Sequence, residues 1–225
     1  PAEPREDQFQ AFKQMVEVFQ KLLFLPEVSK YDVLKAQTVS TLINVPARCT
    51  ELFHPERTLA ALVYVLRIQT DIAEAHEEHA SEALTPVLLV LSAIAKAIPR
   101  SRALIKQAIF PPEVLNSKEK LDMTKEKPSV QAPKIIEEGD SIASKLLPHM
   151  TSFNPALKHY ANQFFFLTCD EDPEELIRLT GFGRSAGMLA NLKLFGMDKV
   201  MEAQLNAQKR PPPPDGDQGP STPSS

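Results

Sequence analysis

Tryptophan is absent from the 225 residues, and glycine occurs seven times. Sheet-rich folds need frequent glycine-favouring turns, so this scarcity argues for an all-α chain over a β-sandwich. Cysteine occurs twice, at Cys49 and Cys169, far apart and each in an apolar pattern. That is no disulfide framework. It reads as two buried free thiols in a reducing cytosol, with a disulfide or a reactive thiol as the alternative. Neither sign of charge dominates: 25 Lys and Arg stand against 29 Asp and Glu, a formal net charge of −4. That balance gives no electrostatic reason to expect nucleic acid as a partner. The longest apolar run, Val87 to Ile98, is broken by Lys96 and falls short of the roughly 20 residues that span a bilayer. With no signal peptide evident, the expectation is a cytoplasmic protein that is not inserted in a membrane. Pro1 stands where an initiating Met would, which reads as a piece of a longer protein.

Chemistry is equally sparse. Gly181, Gly183 and Gly187 lead from helix to helix, whereas a dinucleotide fingerprint leads from strand to helix. They read as a tight turn. No serine or cysteine has a convincing partner for nucleophilic catalysis, so no enzyme activity and no cofactor are expected. His76-Glu77-Glu78-His79 invites a metal reading, but the histidines are three apart and no third ligand stands out. A zinc-protease helix places them four apart. A solvated helix end is the reading, and a metal site the alternative. His149 and His159 flank a helix start, one expected capped and the other exposed.

What is present is apolar periodicity punctuated by proline. Hydrophobic residues make up 43% of the chain, and most of the 20 prolines fall at helix boundaries or in the tail. Residues 5–25 carry Phe9, Phe12, Val16, Phe19 and Leu23 on one helical stripe, and Pro26 ends them. A second helix is expected from Asp32 to Val45, with Leu34, Thr38, Thr41, Leu42 and Val45 inward. A short turn follows over Ala47–Phe53. Pro55 opens a long helix carrying Leu59, Leu62, Val63, Leu66 and Ala73. His76–Ser81 reads as a polar connection, and Leu84–Ile98 as a helix apolar nearly all round. Arg100–Phe110 reads as a shorter helix. Residues 113–134, rich in Lys, Glu, Ser and Pro, read as a long loop, and Ile135–Met150 as a return to helix.

The stretch Ser152–Ala190 is the most tightly specified. Asn154-Pro155 is an N-cap followed by a first-turn proline. Leu157, Tyr160, Ala161, Phe164, Phe165 and Thr168 recur at helical spacing, and Phe166 and Leu167 widen the apolar face. Asp172-Pro173 repeats the start, with Glu174 and Glu175 in the positive first turn. Leu176, Ile177 and Leu179 make a short helix, which Gly181 stops in a left-handed cap. Phe182–Gly187 reads as a glycine-punctuated turn, and Met188, Leu189, Leu192 and Phe195 restart a helix. Met197–Lys209 reads as a terminal amphipathic helix within 197–210, and residues 211–225 as a disordered tail. A buried helix, a short helix and a sharp turn into the next is the pattern of an α-solenoid. The expected architecture is an armadillo/HEAT-like solenoid over residues 1–196, wound as a right-handed superhelix. Armadillo-type repeats are about 40 to 47 residues long, leaving room for roughly four.

This segment resembles the synembryn family (resistance to inhibitors of cholinesterase). The family pattern is a Phe-rich helix ending in Cys and an acidic residue, then a short helix, then Thr-Gly-Tyr/Phe-Gly-Asn-Ala-Ala-Gly-Leu-Leu-Ala. Here those positions read Phe164, Phe166, Cys169, Glu171, and then Thr180, Gly181, Phe182, Gly183, Arg184, Ser185, Ala186, Gly187, Met188, Leu189, Ala190. Arg184 and Ser185 replace Asn and Ala, and Met188 replaces Leu. Upstream, Ile109-Phe110-Pro111-Pro112 resembles a family helix end followed by two prolines. The resemblance implies an exchange factor and chaperone for heterotrimeric G-protein α subunits, which takes the α subunit's C-terminal helix in the concave solenoid face. It further implies recruitment to the plasma-membrane cortex. An armadillo scaffold for an unrelated peptide or helix is the alternative.

For a partner, the candidate contacts are Arg100, Arg102 and Lys106, a small basic cluster, with Phe182 and Arg184 of the glycine motif. A solvated face is the other reading of the basic cluster. Phe164–Phe166 reads as core, with an edge that lines a peptide groove as the alternative. In the tail, Ser221 and Thr222 are possible phosphorylation sites, Thr222-Pro223 suiting a proline-directed kinase, and an inert linker is the alternative. The acidic phosphorylated stretch that family members often carry after the glycine motif is missing.

Overall fold

The computed structural model describes residues 6–45, 55–116 and 133–192. Contacts divide the chain into one unit over Pro1–Met188 and a second over Leu189–Ser225, of which only residues up to Leu192 are described. Among the described residues every regular element is helical: α1 (Glu6–Leu23), α2 (Asp32–Leu42), α3 (Pro55–Ala75), α4 (Ala80–Ala97), α5 (Arg100–Ile109), α6 (Pro112–Asn116), α7 (Lys134–Glu137), α8 (Ile142–Leu146), α9 (Pro155–Thr168), α10 (Pro173–Thr180) and α11 (Phe182–Asn191). The expected all-α class holds.

α4 is the axis of the first unit. It packs on α3 along one side and α9 along another, with α2 and α5 at its flanks. Leu84, Val87, Leu88, Leu91 and Ile94 are buried there, and a helix covered on several sides has to be apolar over most of its circumference. Together with the 3-10 turn Glu77–His79, α4 forms a 21-residue segment, Glu77–Ala97, long and apolar enough to cross a membrane; a count from Val87 alone misses it. Half of its most apolar window is buried inside the fold, against α3 and α9 among its neighbours. α9 repeats the pattern. Asn154 Oδ1 accepts from the backbone N–H of Ala156 and Leu157, and Leu157, Ala161, Phe164, Phe165 and Thr168 are buried, as the spacing predicts. Phe165 meets Phe110 with ring centroids 5.9 Å apart, tying α9 to the end of α5.

Several boundaries differ from expectation. α2 ends at Leu42, and its buried side carries Lys35, Thr38, Val39 and Leu42, while Leu34 and Thr41 are exposed. The reason is a lysine used as core. Lys35 is 1% exposed, with its ammonium 4.6 Å from the centroid of the Tyr64 ring on α3. Its stem fills apolar space and its charge meets the ring's negative face. The Tyr64 hydroxyl donates to Asp32 Oδ1 at 3.0 Å, a second tie between the two helices.

His76–Ser81, expected as a polar connection, is exposed over residues 76–79 and folds as a 3-10 turn, Glu77–His79, with α4 starting at Ala80. The expected loop over 113–134 has helix at both rims. Pro112 begins α6, and Val114 is buried on it; proline suits a helix's first turn as readily as it ends one. Lys134 begins α7. Ile135–Met150 is not one helix, because α7 stops at Glu137. A Cβ at Gly139 would lie 2.3 Å from the Ile135 carbonyl oxygen, so the chain turns where only glycine fits. Ser141 caps the restart by accepting from the Ser144 N–H at 3.1 Å, and α8 tightens into a 3-10 turn, Leu147–Thr151. The readings of Ala47–Phe53, Cys49, the loop interior 117–132, Phe195, the helix 197–210, the tail, Ser221 and Thr222 lie outside the described residues.

Candidate functional site

Three of the candidate residues sit where α5 meets α9 and α10. α5 starts at Arg100, which is exposed. Two residues on, Arg102 turns back across α4 and donates from Nε to the Ala95 carbonyl at 2.9 Å. Its Nη2 reaches Glu171 Oε1 at 2.8 Å, and its Nη1 lies 3.9 Å from Asp170 Oδ1. One turn further, Lys106 pairs with Glu175 of α10. Arg178, three residues along α10, donates to Glu175 from Nε at 2.6 Å and Nη2 at 2.9 Å, and its Nη1 donates to the Val114 carbonyl at 2.9 Å. Arg102 and Lys106 are therefore held by acidic residues of the same chain, and only Arg100 of the three is a solvated cation.

The electrostatics follow from this cage. Arg178, with Lys106 beside it, holds the Glu175 carboxyl down at about 2, against partial burial that works the other way. The Cys169 thiol lies beneath and is pushed up to about 12 by burial. It stays protonated at neutral pH and has no nucleophilic character, as the buried-thiol reading expects. Asp170 and Glu171 have φ of 57° and 61°, two successive left-handed residues that turn the chain out of α9. Aspartate tolerates this conformation better than glutamate. Both are the residues that Arg102 contacts, so the strained corner and its counter-ion sit together.

The glycine motif is a single turn. Gly181 alone has positive φ (80°, with ψ 146°), an extended mirror-image conformation outside the left-handed cap that was expected and open essentially to glycine only. α11 then begins immediately at Phe182, so Gly183 and Gly187 are helical and the expected turn over Phe182–Gly187 does not exist. Leu192 lies past the helix end and is exposed. Ser185 Oγ donates to the Gly181 carbonyl at 3.0 Å. Arg184, half-buried, pairs with Glu137 of α7. Phe182 is half-buried at the start of α11. The acidic partners Glu137, Asp170, Glu171 and Glu175 are what the sequence reading missed. The signal available was the run of carboxylates after Cys169, facing a basic helix of matching spacing.

The remaining candidates do not converge. His76 and His79 are exposed beside Glu78 and Glu82, at 3.6–4.0 Å, and no group of three metal-ligating side chains forms among the described residues. His149 is half-buried, and burial lowers its pKa; His159 is exposed, with its ring edge-on to Tyr160. The arrangement locks helices together and presents surfaces. Among the described residues it assembles no nucleophile with a base.

A family model described as guanine nucleotide exchange factor synembryn (Ric8) matches residues 2–219. The chain belongs to the synembryn family. It is 30% identical over 165 residues to the Gallus gallus protein named Chaperone Ric-8A, which covers 69% of this chain and 28% of that one. The Xenopus tropicalis Chaperone Ric-8A is 26% identical over 163 residues, with 68% and 27% covered. The Bos taurus protein of the same name is 28% identical over 167 residues, with 70% and 28% covered. This synembryn chain thus spans a little over a quarter of the length of the relatives it matches. The helices α9 to α11 carry the motif on which the family resemblance rests, and the corner at Gly181 is the local reason for its glycine.

Proposed function

We propose that this chain binds a heterotrimeric G-protein α subunit, favours its nucleotide-free state, and so serves nucleotide exchange and chaperoning. The match to the synembryn family over residues 2–219 carries the reading; the relatives' printed name, Chaperone Ric-8A, supports the chaperone half. Stacked helices are suited to the role, since exchange of this kind needs a surface and no catalytic side chain. The surface proposed is the concave face of a right-handed armadillo-type solenoid, with Arg100, Phe182 and Arg184 as contacts. Arg102 and Lys106 would contact the partner only by sharing or exchanging their carboxylates. The working place is the cytoplasm, with recruitment to the membrane cortex by the α subunit.

The test is release of fluorescent GDP from purified α subunit. Addition of the chain accelerates release, and the chain is pulled down by α subunit stripped of nucleotide. Deleting the α subunit's C-terminal helix abolishes both effects. Unchanged release together with no pull-down would remove the proposal for this chain, and binding that survives the deletion would favour a scaffold for a different ligand.

A further inference from the structure

A second surface lies away from the α5–α10 junction. The end of α3, the Glu77–His79 turn, the α7–α8 corner and the Leu147–Thr151 turn enclose an open groove of about 700 Å³. Phe153 stands at its rim with 106% of its reference surface exposed. Its position is built by local bonds. Asn154 N–H donates to Ser152 Oγ at 3.1 Å, and Asn154 Oδ1 caps α9, so the backbone on either side of Phe153 is fixed. A fully solvated phenylalanine on a fixed corner gives the groove an apolar anchor point. The walls are acidic: Glu74, Glu77, Glu78, Glu137 and Asp140 line them against one lysine, Lys145. Lys145 and Arg184 answer some of this charge, through Glu74, Asp140 and Glu137. Glu77 and Glu78 stay exposed on the turn that lines the same groove as Phe153, with the His76 and His79 rings 3.9 and 4.0 Å from the Glu78 carboxylate.

We propose that this groove docks a lysine- and arginine-rich segment of a partner protein, which sets an aliphatic or aromatic side chain against Phe153 and its cations along Glu77 and Glu78. Charge complementarity selects the occupant. An anionic membrane or an acidic peptide would meet the same carboxylates with repulsion. The proposal is independent of the G-protein reading and stands whatever the GDP-release assay gives.

The experiment uses the full 225-residue chain and three fluorescein-labelled 16-residue peptides. One is a Lys/Arg-rich amphipathic helix with leucines on one face, one has the same charge with serine for every leucine, and one replaces every cation by glutamate. The first binds, and its affinity falls about tenfold in Phe153→Ala, the size of loss typical of an aromatic anchor that the partner covers. In the Glu77→Gln/Glu78→Gln double variant the affinity falls several-fold and its dependence on salt flattens. The serine peptide binds at least tenfold more weakly, and the glutamate peptide does not bind. Far-ultraviolet circular dichroism of both variants matches the parent, since all three substituted side chains are exposed. Equal binding of the leucine and serine peptides would overturn the proposal, as would affinities that neither variant changes. Binding of the chain to phosphatidylcholine vesicles through Phe153, with no binding of the basic peptide, would reassign the groove to a membrane and also overturn it.

Discussion

At the scale of single residues, two glycines of one motif have opposite reasons to be there. Gly181 holds φ 80° and ψ 146°, a conformation that costs an L-residue on the order of 1–3 kcal/mol. Gly187 is helical, with nothing within 4 Å of the place a Cβ would occupy, so alanine there gains about 0.5–1 kcal/mol from reduced backbone freedom in the unfolded chain. Thermal denaturation should show Gly181→Ala lowering Tm and Gly187→Ala raising it. The sequence singles out Gly181 by its place at the end of a short helix, but puts Gly187 in a turn over Phe182–Gly187, because glycine spacing alone does not show that a helix has already restarted. Glu175 makes a second prediction. Its carboxyl is held at about 2, from an ordinary 4.5, chiefly by Arg178. A depressed carboxylate pKa stabilises the fold above the unfolded-state pKa, and that contribution fades as pH falls from about 4.5 through about 2. Glu175→Gln should therefore cost about 1–3 kcal/mol at pH 7, and the gap in Tm between parent and variant should close across that acid window.

At the scale of elements, the strongest apolar patterns were the ones legible in advance. α9 and α10 open at Pro155 and Pro173 as their caps and prolines indicate, and α3 at Pro55 as its proline indicates, since N-cap chemistry is local and acts within a turn. Boundaries set by tertiary contact were not legible. The inward face of α2 is displaced because Lys35 is buried against Tyr64, a partner 29 positions away on another helix that no local period reports. The split of Ile135–Met150 at Gly139 has a local cause, a close approach to the Ile135 carbonyl, but glycine within a helical pattern is not by itself a break. The candidate site was half legible: its cations were evident as a cluster, and their carboxylates, 69 positions away, were not. α4 is where a substitution should be felt most widely, because it packs on both α3 and α9. Leu88 is 0% exposed there, and Leu88→Ala should cost about 2–5 kcal/mol through lost burial and the cavity left behind. The exposed Leu104→Ala on α5, by contrast, should stay within about 0.5 kcal/mol; denaturant titration of the two variants checks the contrast.

At the scale of the whole molecule, the proposed exchange activity is a statement about linkage and can be tested without measuring a rate. If the chain binds nucleotide-free α subunit more tightly than the GDP-bound form by some factor, then GDP binds the complex more weakly than it binds the free α subunit by the same factor. A ratio of about 10⁴ corresponds to about 5.5 kcal/mol of differential contact, which an interface of ordinary size can supply. No residue need touch GDP, consistent with the locked ion pairs and buried, protonated Cys169 of the α5–α10 junction. The affinity of the chain for α subunit should thus fall in proportion to added GDP once GDP exceeds its own Kd, and level off at the affinity for the GDP-bound form. The ratio of the two plateaux in a calorimetric or fluorescence titration is the coupling factor. A flat response to GDP would mean that the chain grips the α subunit without preferring either state, which leaves a binding module and ends the exchange reading. A steep response that disappears in Arg184→Ala, while circular dichroism and Tm stay near the parent values, would locate part of the coupling on α11. Loss of coupling together with a large fall in Tm would instead trace it to the Arg184–Glu137 pair that fastens α11 to α7.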